Sequence, residues 1–420
     1  MIARLVQSRL LRLFSGTVID QAMLSAVNFL VGLLLIRYTT DADYASYVLV
    51  QTAVMLLVSL QGAWIGGPLA VLAPQLPARE RRAMISTAYF GQRRQGRWLL
   101  LVCAVSALGL SLSGDIGGIG VTIFAAGSLA GWASMEREFL RTVLLIDARA
   151  PALLLVDGLY VLVLAGGVVL AILSPTAAAT LAVLAIAIAS MAAARLTRRI
   201  VTREPTWDRR DNRSLWKQLR PLGGWAIAGV VVYWSFSQGY NYLLVLMLDV
   251  GAVAAVAATR LLLMPVNLLT VGVKNLLVPT VAGWLAEFGL PTVMRRLGLF
   301  SAVMFVLASL YCGVLWLLRD WITGTLLGKQ IPDRDTLLLL WTLIYLVCLV
   351  RDIWQSALLV RKRFRSLARF TAVNAVLSLV AIVIGLKLYG APGALLGLAA
   401  GEVMYTVAVF FMLRQELHRV

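Results

Sequence analysis

Charge is scarce in this chain. Of 420 residues, 14% are Asp, Glu, Lys or Arg, against 60% hydrophobic residues. Soluble globular domains carry about 25% charged residues, so that class is excluded. The three cysteines, Cys103, Cys312 and Cys348, lie apart in apolar runs, which excludes a disulfide framework and a cysteine metal site. The one histidine, His418, sits in the tail, so a His-Glu-x-x-His zinc motif is excluded. A Walker loop and a glycine-rich dinucleotide loop are also missing. No polar stretch is long enough to form a soluble catalytic domain, so no enzyme activity and no cofactor is expected. Acids are few as well, 20 against 38 basic residues, for a net charge of +18.

What the chain does have is apolar runs of about 20 residues from end to end, each long enough to cross roughly 30 Å of hydrocarbon. We read twelve spans, near 15–36, 44–67, 98–114, 117–140, 151–173, 176–195, 221–248, 251–278, 297–318, 336–358, 367–389 and 392–413. This is an all-α polytopic membrane protein. The opening "MIARLVQSRLLRLF" is basic and amphipathic but lacks a small-residue cleavage site, so it reads as a surface helix rather than a signal peptide. Most Lys and Arg fall at the termini and in loops after even-numbered spans, as in "RERR" (79–82), "RRQGR" (93–97) and "RKRFR" (361–365). Arg37, Arg319, Lys329, Arg334 and Lys387 fall on the other side. This alternation places both termini in the cytoplasm. It accounts for the positive charge without nucleic acid, and it leaves attraction to anionic membrane lipids as a contribution.

The longest connection, 196–220, is basic and divides the chain into six-helix halves, 1–195 and 221–420. The halves resemble each other. At a shift of 214, "REFLRTVLLIDAR" (137–149) lies over "RDIWQSALLVRKR" (351–363), so Arg137 meets Arg351 and Glu138 meets Asp352. After a three-residue insertion, Asp157 meets Asn374 and Pro175 meets Pro392. With an even number of spans in each half, the repeats are parallel, an arrangement that places substrate near the midplane between halves.

Charges within spans cost about 2.5–3.5 kcal/mol each on insertion scales and usually face a bundle interior or cavity. Arg260, Asn267 and Lys274 are spaced by seven, which predicts a cationic stripe on one helix face. Lys274 near the span end can equally snorkel, and Arg260 can equally form a structural ion pair. Arg351 and Asp352 interrupt the run "LVCLVRDIWQSALLV", and with Arg137 and Glu138 they suit either a clamp between spans or a substrate contact. Asp20, Asp157 and Glu402 are the intramembrane acids. Each could pair with a cation or carry a coupling H+ or Na+. Asp20 shares a polar stripe with Thr17, Gln21, Leu24 and Asn28; in the matching span, Trp234, Gln238 and Asn241 recur at about helical spacing. Aromatics with amides suit sugar recognition and ordinary helix packing alike.

On these features the chain resembles the multidrug/oligosaccharidyl-lipid/polysaccharide (MOP) exporter superfamily. "NFLVGLLLIRYTTDADYASYVLVQT" (28–52) is similar to the family's first-to-second span turn, although Thr39-Thr40-Asp41 stands where a glycine is usual. "REFLRTVLLIDARAPALLLVD" (137–157) is similar to the fourth-to-fifth span region of polysaccharide repeat-unit flippases. The resemblance implies a MOP/MATE-like fold. It also implies translocation of an undecaprenyl-pyrophosphate-linked oligosaccharide across a bacterial inner membrane, with polysaccharide polymerase machinery as a partner. The anionic head group would meet Arg260 and Arg351. Two rivals remain. A drug or organic-cation antiporter would need a cavity dominated by acids. A membrane polymerase or glycosyltransferase would need catalytic groups in a sizeable outside loop, and the largest, about 319–335, is short.

Overall fold

In hydrocarbon every backbone N–H and C=O must find a partner within the protein, which leaves this composition the helix as its spanning form. The computed structural model describes all residues except 1, 114–116, 148, 203–212, 362 and 418–420. The side chains of 2–18, 175, 213–222, 225, 271, 274–276, 278–279, 282, 286, 364–365 and 417 are also outside the description. Lys274 and Thr17 therefore have a described backbone only.

Residues Met1–Val231 and Val232–Val420 form two compact units. The first holds α1 (Ile2–Tyr38), α2 (Asp41–Gln61), α3 (Gly67–Leu72), α4 (Ala78–Ser113), α5 (Gly118–Ile146), α6 (Ala150–Ile172) and α7 (Ala178–Val201). A π-helical turn, Gly62–Gly66, joins α2 to α3. Thr40 caps α2 by accepting from the Asp43 amide at 3.1 Å. Helices α5 and α6 pack on α7, α1 on α6, and α2 and α4 on α5.

Helix α4 corrects the expected third span. The reading from sequence gave 98–114, yet the helix begins at Ala78 and runs 36 residues. Its arginine-rich first half buries Met84, Ile85, Ala88 and Tyr89 at helical spacing. The polar groups there find partners. Arg82 donates to Asp147 at 2.9 Å, Gln92 to the Met135 carbonyl at 2.9 Å, and Gln61 to Gln92 at 3.1 Å.

Helix α8 (Arg213–Ser237) carries the chain into the second unit, which holds α9 (Tyr240–Met247), α10 (Val250–Leu262), α11 (Met264–Leu317), α12 (Arg319–Trp321), α13 (Arg334–Val360) and α14 (Phe364–Leu417). Helix α11 is broken at Gly289 (φ 73°, ψ 173°) and α14 at Gly390 (φ 63°, ψ −140°), backbone conformations that favour glycine. The two arms of α14 run antiparallel. A Cβ at Gly393 would strike the Gly385 carbonyl, one at Gly397 the Ile382 backbone, and one at Gly401 the Ser378 hydroxyl. Small residues thus let the two arms approach backbone to backbone.

Nine helices among the described residues are long and apolar enough to cross a membrane, ten if the bent pair of α10 and the start of α11 is one span. The two arms of α14 fall within one of these nine (Ser366–Glu416), and Ala226–Ser237 of α8 is a further, shorter apolar helix. The fold is an all-α, multi-pass membrane protein of about twelve spans.

Candidate functional site

Two helix breaks build the most distinctive polar site of the second unit. The first separates α8 from α9. The amides of Gln238 and Gly239 both bond the Trp234 carbonyl, at 3.0 and 3.2 Å, forming a wide turn. A Cβ at position 239 would collide with the Ser235 carbonyl, so the turn requires glycine. The second separates α10 from α11, with a bend of 56°. Pro265 explains it: proline has no amide hydrogen for the Leu261 carbonyl, and its ring clashes with that carbonyl. The neighbouring Leu262 carbonyl is taken by the Tyr311 hydroxyl at 2.7 Å.

These breaks correct two sequence expectations. Arg260, Asn267 and Lys274 do not share one straight helix face, because Arg260 lies on α10 before the bend while Asn267 and Lys274 lie on α11 after it. Trp234, Gln238 and Asn241 likewise do not form one stripe. Trp234 ends up beside Tyr242, ring centroids 6.0 Å apart, and Asn241 is buried on α9. Gln238, in the turn, points to Arg260.

Arg260 is half-buried. Its Nη1 donates to Gln238 Oε1 at 2.9 Å and to the Tyr240 hydroxyl at 3.0 Å, and its Nε to the Tyr345 hydroxyl at 3.3 Å. The guanidinium lies 5.4 Å from the Trp341 ring centroid. Trp341 is itself fixed, its indole N–H donating to the Val256 carbonyl at 3.1 Å. Among the described residues, no carboxylate pairs with Arg260. Its ring of neutral acceptors orients the cation and leaves its charge uncompensated.

Arg351 is different. It is 7% exposed, donates to Glu402 on the second arm of α14 and to Asp352 at 3.0 Å, and lies over the Tyr405 ring. Both its acids are thereby engaged, and the arginine has little capacity left for a ligand.

The first unit holds a larger charge cluster. Asp20 on α1 and Asp157 on α6 are both fully buried. Arg141 on α5 donates to Asp20, to Asp157 at 2.9 Å and to Glu138 at 3.3 Å. Arg137 also donates to Asp157, and its guanidinium sits 3.7 Å from the Tyr160 ring centroid. Arg137, read from sequence with Glu138 as a clamp between spans or a substrate contact, reaches across to Asp157 on α6, while Glu138 accepts from Arg141 on its own helix. Arg141 was not among the sequence candidates. The available signal was its position four residues after Arg137, on the same helix face. Asn28 is half-buried on α1, Gln21 exposed beside buried Asp20, and Asn267 half-buried on α11.

No protein-family model and no curated protein matches this chain. Solved structures do match its fold. A point mutant of the Vibrio cholerae MATE transporter VcmN is 14% identical, with TM-score 0.66 over 99% of this chain and 98% of that one. An inward-facing multidrug-resistance MATE family transporter of the MOP superfamily is 12% identical, with TM-score 0.73 over 95% of each. The lipid II flippase MurJ, inward closed, is 11% identical, with TM-score 0.68 over 96% of this chain and 87% of that one. The chain therefore has the MATE-like fold of MOP-superfamily membrane transporters.

Proposed function

We propose that this protein is a flippase. It moves a lipid-linked oligosaccharide repeat unit, carried on undecaprenyl pyrophosphate, across the cytoplasmic membrane by alternating access, for delivery to polysaccharide polymerase machinery. The observation that carries this reading is Arg260. An intramembrane guanidinium without a carboxylate is costly unless it has a use, and its charge suits a pyrophosphate, which forms strong charge-assisted bonds with arginine. Two broken helices meet at it, and transporters typically build substrate sites from such discontinuous helices. Tyr240, Tyr345 and Trp341 beside it are themselves buried, so they fix the guanidinium in place and leave any sugar contact to other residues. Two further readings from sequence are narrowed. Arg351 is a clamp between α13 and α14, so head-group contact passes to Arg260 with Gln238. The carboxylates that a cationic drug would need, Asp20, Asp157 and Glu402, are engaged by arginines.

The test is translocation of a lipid-linked saccharide in reconstituted vesicles. Wild type flips it, Arg260→Ala abolishes flipping and Arg260→Lys retains part of it. Unchanged flipping in Arg260→Ala overturns the assignment, and organic-cation exchange by wild type without flipping would establish the antiporter instead.

A further inference from the structure

A second group of arginines, at the basic end of the first unit, takes no part in that reading. Arg93 on α4, Trp132 and Glu136 on α5, and Arg195 and Arg198 on α7 line a cavity of about 220 Å³. Three guanidiniums against one carboxylate give the lining a formal charge of +2. Glu136 is already engaged, accepting from the Tyr89 hydroxyl at 3.0 Å and lying 3.5 Å from Arg93 Nε. Among the described residues, no carboxylate is bonded to Arg195 or Arg198. One wall is the Trp132 ring, seated against α4 where a Cβ at Gly96 would come within 2.8 Å of it.

The depth of the cavity is informative. Arg93 lies 20 residues from Ser113 at the far end of α4, Glu136 lies 18 from Gly118 on α5, and Arg198 lies 20 from Ala178 on α7. At 1.5 Å per residue these are about 27–30 Å, the thickness of the hydrocarbon core. All three helices thus bring their charged residues to the level where acyl chains meet head groups, on the side that the charge distribution marks as cytoplasmic. Beyond Arg93, α4 presents exposed Trp98, Leu101, Val102 and Val105, an apolar surface leading away from the cavity.

We propose that this cavity binds the phosphate head group of an anionic lipid from the cytoplasmic leaflet, with the acyl chains along the exposed face of α4. Basic pockets between helices at this level suit such head groups, and the Trp132 ring suits the interfacial position of aromatic side chains. Such a lipid site does not depend on what the protein carries.

The test uses the full-length protein in detergent, titrated with phosphatidylglycerol or phosphatidylcholine and read by native mass spectrometry. Wild type retains phosphatidylglycerol in preference. Arg195→Gln/Arg198→Gln weakens that binding by about thirtyfold, the product of two arginines near an anionic surface. Exposed Arg295→Gln/Arg369→Gln leaves it intact. The double variant's melting temperature in phosphatidylcholine reports its folding; if it fails to fold, the single Arg195→Gln, at an exposed position, carries the test with a smaller loss. Undiminished phosphatidylglycerol binding in the variant overturns the proposal. So does full displacement of the lipid by millimolar inorganic phosphate, which would make the site one for a soluble anion.

Discussion

Arg351 on α13 donates to Glu402 on α14, whereas Arg137, at the matching sequence position of the first half, donates to Asp157 on α6. The position matching Asp157 is Asn374, which is neutral and buried with both side-chain amide atoms unpartnered among the described residues. Each arginine therefore pairs with the acid its own half supplies. Removing one partner of a buried pair costs about 3–5 kcal/mol, and retained Asp352 should keep the loss in Glu402→Gln at or below the low end of that range. We expect Glu402→Gln to lower the melting temperature and Asn374→Asp in the same chain to restore part of it. Thermal unfolding of the purified variants checks this; no recovery in the double variant would show that the two halves do not exchange partners.

Arg141 holds two fully buried carboxylates, Asp20 and Asp157. Arg141→Gln strands Asp20, while Asp157 keeps Arg137. A second loss should then help. Arg141→Gln/Asp20→Asn removes the stranded charge along with the cation, and replacing both members of a buried pair by neutral groups is far less costly than removing one. The double variant is expected to be more stable than Arg141→Gln by about 2 kcal/mol, and so to melt at a higher temperature. Equal melting temperatures would mean that Asp20 is compensated by something other than Arg141.

Much of this architecture could be read from the residues, and the exceptions have physical causes. Apolar runs located the crossings because hydrocarbon thickness dictates their length. The first half of α4 was missed because arginines at 79–82 and 93–97 mask the buried Met84, Ile85, Ala88 and Tyr89 between them. The stripe through Arg260 failed because spacing by seven assumes a straight helix, and Pro265 stands between its first two members. Gln238 stands out in the sequence for its spacing, yet its contact with Arg260 depends on the turn at Gly239, which spacing does not show. Arg141 was passed over because sequence shows charges, not which acids they reach.

The hairpin of α14 offers a test of packing. Gly393, Gly397 and Gly401 each face the opposite arm with no room for a Cβ. Gly397 meets backbone, at Ala381 and Ile382, which cannot swing aside as a side chain can. Gly397→Val should therefore destabilise the protein by about 1–3 kcal/mol or more, the range for overpacking. Gly283→Val, at an exposed glycine with nothing within 4 Å of its Cβ direction, should cost less. Equal melting temperatures for the two variants would refute the tight approach of the arms.

Pro265 ties the break between α10 and α11 to the candidate site at Arg260. Replacing it with alanine supplies an amide that can bond the Leu261 carbonyl, whereas as the second residue of α11 the proline sits where a helix tolerates it. Straightening the bend of 56° would also carry Arg260 away from Gln238, Tyr240 and Tyr345, which hold it at 2.9–3.3 Å. The two effects oppose each other: Pro265→Ala should keep or raise the melting temperature while lowering lipid-linked saccharide flipping by about tenfold, the order expected for losing one charge-assisted hydrogen bond. Stability and transport falling together would point to a proline needed for folding. Full transport at raised stability would mean that the bend does not position Arg260 for its ligand.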